Sequence, residues 1–347
     1  MTIRLSRRHL LGAGGAGLAA TFLGPVPRAL AQEGRVLKIN TLASTAAVNV
    51  PMQWALQKGI QTFPGYGPAE VRPTAKTPQI AQEVIAGAAD LGDADVASTF
   101  SAIEAGADLR VIGLSYSNTS QVIVSNADTV TSLEDIAAKG GTIAVNSIGD
   151  FMYVMLAGVL KKRGIDITTI NFIEMGSSGD RARALVAGRV DAVPMHIEQA
   201  AALAKQGNYQ VLVTPSEELG NWFSAVIMAT GSWLEDDANK AAAVTLLKSV
   251  LTSFRKTNSD YDWYKAQLQD LASSKDLKAE GDDFLRPVWE TLCTKIGAFP
   301  DNMETLTPDA FAANLAYYKD LGALQGTADL SKVIDRTYLE QAIKELA

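Results

Sequence analysis

Beyond residue 35, apolar positions fall into short runs that switch between a period of two and a period of three to four. Val36-Leu37-Lys38-Ile39-Asn40 predicts a strand. The Thr/Ser/Ala loop 41–47 then leads to a helix over 50–58, stopped by Gly59. Glu70-Val71-Arg72-Pro73 predicts a second short strand. Thr77-Pro78 is a helix start, an N-cap hydroxyl followed by Pro in the first turn. Ile80, Val84 and Ile85 give that helix an apolar face, and Gly87 ends it. Residues 88–92 predict a strand, 97–105 a helix stopped by Gly106, and 109–114 a strand apolar on both faces. Strands alternating with helices in this way predict parallel pairing under covering helices.

The order then recurs: a strand at 142–145, a helix from about 151 to 162, a strand at 170–174 and a helix at 180–187. Lys161-Lys162-Arg163-Gly164 suits a helix C-terminus, with cations against the dipole and then Gly. The recurrence extends to residues. Ile85-Ala86-Gly87-Ala88-Ala89-Asp90-Leu91 aligns with Val186-Ala187-Gly188-Arg189-Val190-Asp191-Ala192, each position 101 residues further on. In the same register Gly106 meets Gly207, and Arg110-Val111-Ile112 meets Val211-Leu212-Val213. The chain therefore reads as two copies of one α/β unit, one per lobe. Ligands of open parallel sheets bind beyond the C-terminal strand ends, so two facing lobes put their loops into one cleft.

Composition narrows the function. The 347 residues hold 31 Lys+Arg and 38 Asp+Glu, a net charge of -7, which argues against nucleic acid as a partner. A single Cys, Cys293, rules out internal disulfides and Cys-rich metal sites, and no metal is expected. Two His leave little for His-based catalysis, and no dinucleotide or P-loop glycine motif is present. The chain is read as a non-enzyme without cofactor. Residues 1–31 carry four Arg and no acid, then a Gly/Ala-rich apolar stretch and Ala29-Leu30-Ala31. They predict a cleaved export signal and a periplasmic product without a lipid anchor. Ser6-Arg7-Arg8-His9-Leu10-Leu11 resembles the twin-arginine signal, with Leu10 where Phe is common.

Several pieces in order carry a wider resemblance. They are residues 85–92, Glu104-Ala105-Gly106, Ser132-Leu133-Glu134-Asp135-Ile136 before Gly140-Gly141-Thr142-Ile143-Ala144-Val145, residues 184–192, and the ending Val333 to Leu339. Together they resemble the type II periplasmic binding proteins of ABC importers, within them the family that binds nitrate, sulfonates, taurine and the thiamin pyrimidine precursor. The resemblance implies two hinged α/β lobes with crossings near Asn126 and Trp222. Lobe 1 would then be 32–125 with 222–347, and lobe 2 would be 126–221. It also implies closure on a small ligand and delivery to a permease and ATPase at the inner membrane; with no obvious apolar helix exposed for dimerisation, a monomer is expected. A related cytosolic branch makes the thiamin pyrimidine with a Cys-rich motif; the export signal and lone Cys293 place this chain outside it.

The candidate ligand residues lie on the cleft loops. Ser147 and Gly149 match the family's phosphate-loop-like turn, with Asn146 departing from it. Ser44 and Thr45 occupy the matching loop of lobe 1, and Ser177 and Ser178 precede a third helix. Such helix N-termini attract anions, so a small sulfonate or carboxylate is the first reading. Asp93 and His196, placed at the cleft by the repeat, and Trp222 serve the second reading, a neutral nitrogen heterocycle. Asn118 sits near a crossing. Asp95 is read as a helix cap, and Glu198, Arg181 and Arg183 as solvated helix residues. Trp263, Trp289, Tyr317 and Tyr318 are read as packing residues. A periplasmic sensor and the binding subunit of a tripartite ion-driven importer are further alternatives.

Overall fold

The computed structural model describes residues 35–347 apart from 44–45, 75–76, 176–177 and 273–274. The signal read at 1–31 lies outside them. In chain order, β1 (Lys38–Leu42), α1 (Val50–Gln57), β2 (Glu70–Thr74), α2 (Thr77–Ile85), β3 (Leu91–Asp95), α3 (Val96–Glu104) and β4 (Leu109–Tyr116) build the first lobe. The second follows with β5 (Gln121–Asn126), α4 (Leu133–Ala138), β6 (Thr142–Val145), α5 (Phe151–Lys162) and β7 (Asn171–Glu174). It is completed by α6 (Ser178–Val186), β8 (Ala192–His196), α7 (Ile197–Ala204), β9 (Tyr209–Val213) and α8 (Pro215–Leu219). β10 (Ala225–Thr230) returns to the first sheet.

The two sheets have the same plan. The first runs β2-β1-β3-β10-β4 and the second β7-β6-β8-β5-β9. In each, three parallel strands are followed by one antiparallel strand, β10 or β5, supplied by the segment that has just crossed between the lobes. The first crossing comes earlier than the sequence suggests. β5 already belongs to the second sheet, so the chain passes between lobes over 117–120 and not near Asn126. The strand expected at 88–92 forms at 91–95 instead, because Gly87 to Asp90 are needed to turn the chain out of α2.

The internal repeat is structural as well as textual. Gly87 and Gly188 end α2 and α6 with φ of 68° and 65°, a left-handed conformation that glycine adopts without steric cost. Gly87 N–H donates to Val84 O and Ala88 N–H to Glu83 O; Gly188 N–H donates to Leu185 O and Arg189 N–H to Ala184 O. Asp90 then clips β1, accepting from Lys38 N at 2.8 Å, as Asp191 clips β6 by accepting from Thr142 N at 2.7 Å. The conserved spacing of Gly and Asp within the chain thus encodes the same turn twice.

The C-terminal third is helical: α9 (Asp237–Ser259), α10 (Tyr261–Leu271), α11 (Lys275–Ala279), α12 (Asp282–Glu290), α13 (Pro308–Asp320), α14 (Leu330–Val333) and α15 (Thr337–Glu345). α9 packs on α1 and α15, and α15 on β4, burying Leu246, Leu247, Val250 and Phe254 in the first lobe. α13 reaches across to α5 and α12 to α7, so both helices touch the second lobe. That lobe has its own core, with Val122, Val124, Leu185, Val193, Met195 and Leu203. Among the described residues no helix is long and apolar enough to cross a membrane.

Candidate functional site

The C-terminal ends of β1, β3, β6 and β8 face one another between the lobes, and the helices that follow start there. What occupies their N-termini decides the chemistry. Asp95 caps α3, accepting from Ser98 N at 2.8 Å through Oδ1, as its position before the helix predicts. Asp150 caps α5, accepting from Tyr153 N at 2.8 Å through Oδ1. In both acids the other oxygen, Oδ2, is buried and has no hydrogen-bond partner. Burial holds the Tyr318 hydroxyl protonated, and the charges of Asp95 and Asp150, one from each lobe, add to that effect. The Tyr318 hydroxyl and Trp222 Nε1 are likewise buried without partners.

The Ser147–Gly149 turn lies at the end of β6, as expected. Gly149 has φ of 85°, the left-handed turn that carries the chain into α5. Its amides are not all open to an anion, because Glu174 Oε1 accepts from Ile148 N at 2.7 Å. Burial pushes the Asp150 carboxyl above its usual range, against hydrogen bonds from Tyr153, Asn146 and Ser147 and the charge of Arg181. Arg181 departs from its reading as a solvated residue: it is buried, donating to Pro194 O at 3.3 Å and Met175 O at 3.1 Å. Arg183, by contrast, is exposed and paired with Asp180.

Several expected ligand contacts are occupied within the protein. Asp93 accepts from Thr41 Oγ1 at 2.8 Å and from Ser115 Oγ, so both its oxygens are engaged inside the first lobe. His196 holds Ser120 Oγ at 2.7 Å on Nδ1 and Gln121 Nε2 at 2.9 Å on Nε2. With the Gln121 amide donating, the neutral ring carries its hydrogen on Nδ1. Burial, aided by the Arg181 charge, lowers the His196 pKa to about 4. Asn118 fastens the hinge: its Oδ1 accepts from Thr119 N and Trp222 N at 2.9 Å each, and its Nδ2 donates to Ile296 O at 3.1 Å. Trp222 is fully buried, stacked on Tyr318 at 5.7 Å and tilted against Tyr317 at 5.5 Å, so its ring faces pack the hinge. Ser178 opens α6 and accepts from Gln199 Nε2 at 3.2 Å. Ser44, Thr45 and Ser177 lie outside the described residues.

Two groups escaped the sequence reading. Tyr318 joins the cleft only because α13 crosses to the second lobe, and nothing local marks it. Glu198 is buried instead of solvated, and its Oε1 accepts from Ala47 N of the first lobe at 3.1 Å. Desolvation raises its pKa to about 7, opposed by the Glu198 and Ala47 backbone hydrogen bonds. The signal for Asp150 was available: an acid before a helix at the end of a repeated strand. Among the described residues no cluster of His, Cys, Asp and Glu could hold a metal ion.

The chain matches the family model described as NMT1/THI5 like over residues 70–254, more than half its length. It shares its fold with solved solute-binding proteins. One is the ligand-binding component of an ABC-type import system from Staphylococcus aureus with zinc bound, 15% identical at a TM-score of 0.70, covering 89% of this chain and 99% of that one. Another is the nitrate-binding protein NrtA from Synechocystis PCC 6803, 13% identical at 0.71, covering 90% and 89%. A third is the periplasmic aliphatic sulphonate binding protein SsuA from Escherichia coli, 16% identical at 0.65, covering 87% and 92%. No curated protein matches the chain by sequence.

Proposed function

We propose, from the premise that the chain belongs to the NMT1/THI5-like family, that it is the exported solute-binding protein of an ABC importer. Its solute is a small molecule bearing N–H donors, an amine or an aminated heterocycle, held between the lobes and handed to a membrane permease driven by an ATPase. One observation carries the choice of ligand: Asp95 and Asp150, at the starts of corresponding helices on opposite lobes, each keep one buried carboxylate oxygen without a partner. A buried acceptor left unpaired costs about 1–3 kcal/mol, and a donor that bridges both acids removes that cost only when the lobes are closed. Ligand and closure are then coupled through the two acids.

The anionic alternative, a sulfonate or carboxylate, has its own support in the buried Arg181 beneath the cleft and in the names of the SsuA and NrtA neighbours. Against it, the helix N-termini that would hold an anion are capped by Asp95 and Asp150, and Glu174 takes an amide of the β6 turn. A thermal-shift screen of amines, aminopyrimidines, sulfonates, carboxylates and nitrate decides between them. A solute at a hundred times its dissociation constant adds about 2.7 kcal/mol of stability. The expected hits are N–H donors, with Asp95→Asn and Asp150→Asn each weakening binding at least tenfold. Hits confined to the anions, unaffected by these variants, overturn the donor reading.

A further inference from the structure

The lobes are joined by two crossings, 117–120 and 220–224, and each is fastened at both ends. On the first, Ser117 N donates to Ala298 O at 2.8 Å, Ser117 Oγ to Gly297 O at 2.8 Å, and Asn118 Nδ2 to Ile296 O at 3.1 Å. These acceptors belong to the first lobe: the adjoining Phe299 lies against Phe254 of α9, and its carbonyl accepts from Asn258 Nδ2 at 2.7 Å. Two residues on, Ser120 is held by the second lobe. Its Oγ meets His196 Nδ1 at 2.7 Å, and its carbonyl accepts from Ile197 N at 3.0 Å. Only Thr119 lies between the two sets of bonds, and its amide and hydroxyl bond to its chain neighbours Asn118 and Gln121.

The return crossing has the same plan. α8 ends at Leu219 on the second lobe, where Glu218 pairs with Arg163 at the end of α5. Trp222 N donates to Asn118 Oδ1 at 2.9 Å, and Val96 N donates to Ser224 O at 3.1 Å, so the chain is bound to the first lobe again from Trp222 onward. Asn221 O accepts from Asn314 Nδ2 of α13 at 3.4 Å. Between Leu219 and Asn221 stands Gly220, with φ of 75° and ψ of -143°. This conformation mirrors an extended strand; glycine adopts it freely and L side chains do not. A Cβ at Gly220 would meet nothing within 4 Å. The need for glycine there is torsional and not one of space. The arrangement that this torsion accompanies is a closed one, since Glu198 of α7 meets Ala47 N and Lys205 pairs with Glu280 across the lobes.

We propose that the lobes turn about Thr119 and Gly220, and that the torsion at Gly220 weights this turning toward the closed arrangement. An L residue at 220 relaxes by rotating its backbone. With α8 fastened on one side and Trp222 on the other, that rotation passes to the lobes. The device lies in the crossings, so it does not depend on which solute the protein takes.

The test measures the interlobe distance with no solute present. Pulsed electron paramagnetic resonance reads spin labels at Gln82→Cys on α2 and Arg189→Cys beyond α6, both exposed, in a Cys293→Ser background. Small-angle X-ray scattering gives the radius of gyration of the same proteins. Gly220→Ala is expected to shift the mean distance from that of the parent and to enlarge the radius. Gly106→Ala is the control. It has φ of 96° and equally open surroundings but lies within the first lobe, and both readouts are expected to stay unchanged. Asn118→Ala, which unties the crossings from Ile296 and from each other, is expected to broaden the distance distribution. An unshifted distance and radius in folded Gly220→Ala overturns the proposal, as does an equal shift in Gly106→Ala. If Gly220→Ala does not fold, Asn118→Ala decides, and a distribution as narrow as the parent's overturns the proposal.

Discussion

The two lobes repeat one another closely enough that their differences stand out. Gly87 and Asp90 in the first lobe do what Gly188 and Asp191 do in the second: the glycine ends a helix and the acid clips the first strand. The helix that follows starts alike as well, at Val96 and Ile197, 101 residues apart. Its first positions then diverge. Lobe 1 has Asp95 at the cap and Ala97 two residues on; lobe 2 has His196 at the cap and Glu198 two residues on. Asp95 caps its own helix and keeps its other oxygen buried without a partner. His196 is held at both ring nitrogens, and the acid, shifted by half a turn, reaches the other lobe at Ala47. The scaffold's turns are duplicated, whereas the helix starts that follow them carry different groups.

The largest effect is expected at Glu198. Its pKa is raised in the folded protein, from 4.5 to about 7, so the stability it supplies is complete below pH 4.5 and lost as pH rises through 7. Glu198→Gln keeps an acceptor for Ala47 N and removes the ionisation. The variant should exceed the wild type by about 3 kcal/mol at pH 8.5 and match it near pH 4.5, measured by urea unfolding. An equal difference at both pH values would show that the buried charge is not the cause.

His196 runs the other way, and its effect is set smaller because the residue as a whole is half-buried. Its pKa is lowered from 6.5 to about 4, so its stability is present above pH 6.5 and lost as pH falls through 4. The wild type should lose about 2 kcal/mol over that window through this group, and His196→Gln should flatten the loss. An unchanged acid profile would return the loss to the carboxylates. The smallest effect tests the symmetry itself. Gly87→Ala and Gly188→Ala should each cost about 1–2 kcal/mol, equally in the two lobes, because both force a left-handed residue to carry a Cβ. A marked inequality would mean that one of the turns relaxes.

The α/β class, the repeat and most of its elements were legible in the chain, since they rest on local chemistry: helix stops at Gly87, Gly188 and Gly164, caps at Asp95 and Asp150, and alternating apolar runs. The crossing was placed several residues late because the strand Gln121–Asn126, apolar only at Val122, Ile123 and Val124, has no local sign of which sheet it joins. For the candidate site, the sequence marks the loops at the strand ends but not the bonds that their side chains make. Asp93 and His196 are polar residues at the right strand ends, yet their side chains are turned to Thr41, Ser115, Ser120 and Gln121. Spacing along a strand gives the end of the sheet a residue occupies, not the partner that its side chain finds.

The sequence by itself determined two α/β units, the turns that end their helices, the strand ends with the loops that follow them, and an acidic chain. Tertiary structure alone decided which polar groups stay unpaired. Asp95 and Asp150 each keep a buried oxygen without a partner only in the folded chain, where α13 also packs on α5 of the second lobe. Glu198 becomes a buried acid only in the folded chain, where its Oε1 meets Ala47 N of the first lobe. A helix or a turn is stabilised by neighbours a few residues away, which a sequence displays. Desolvation of a carboxylate depends on every segment that packs around it, and those come from distant parts of the chain.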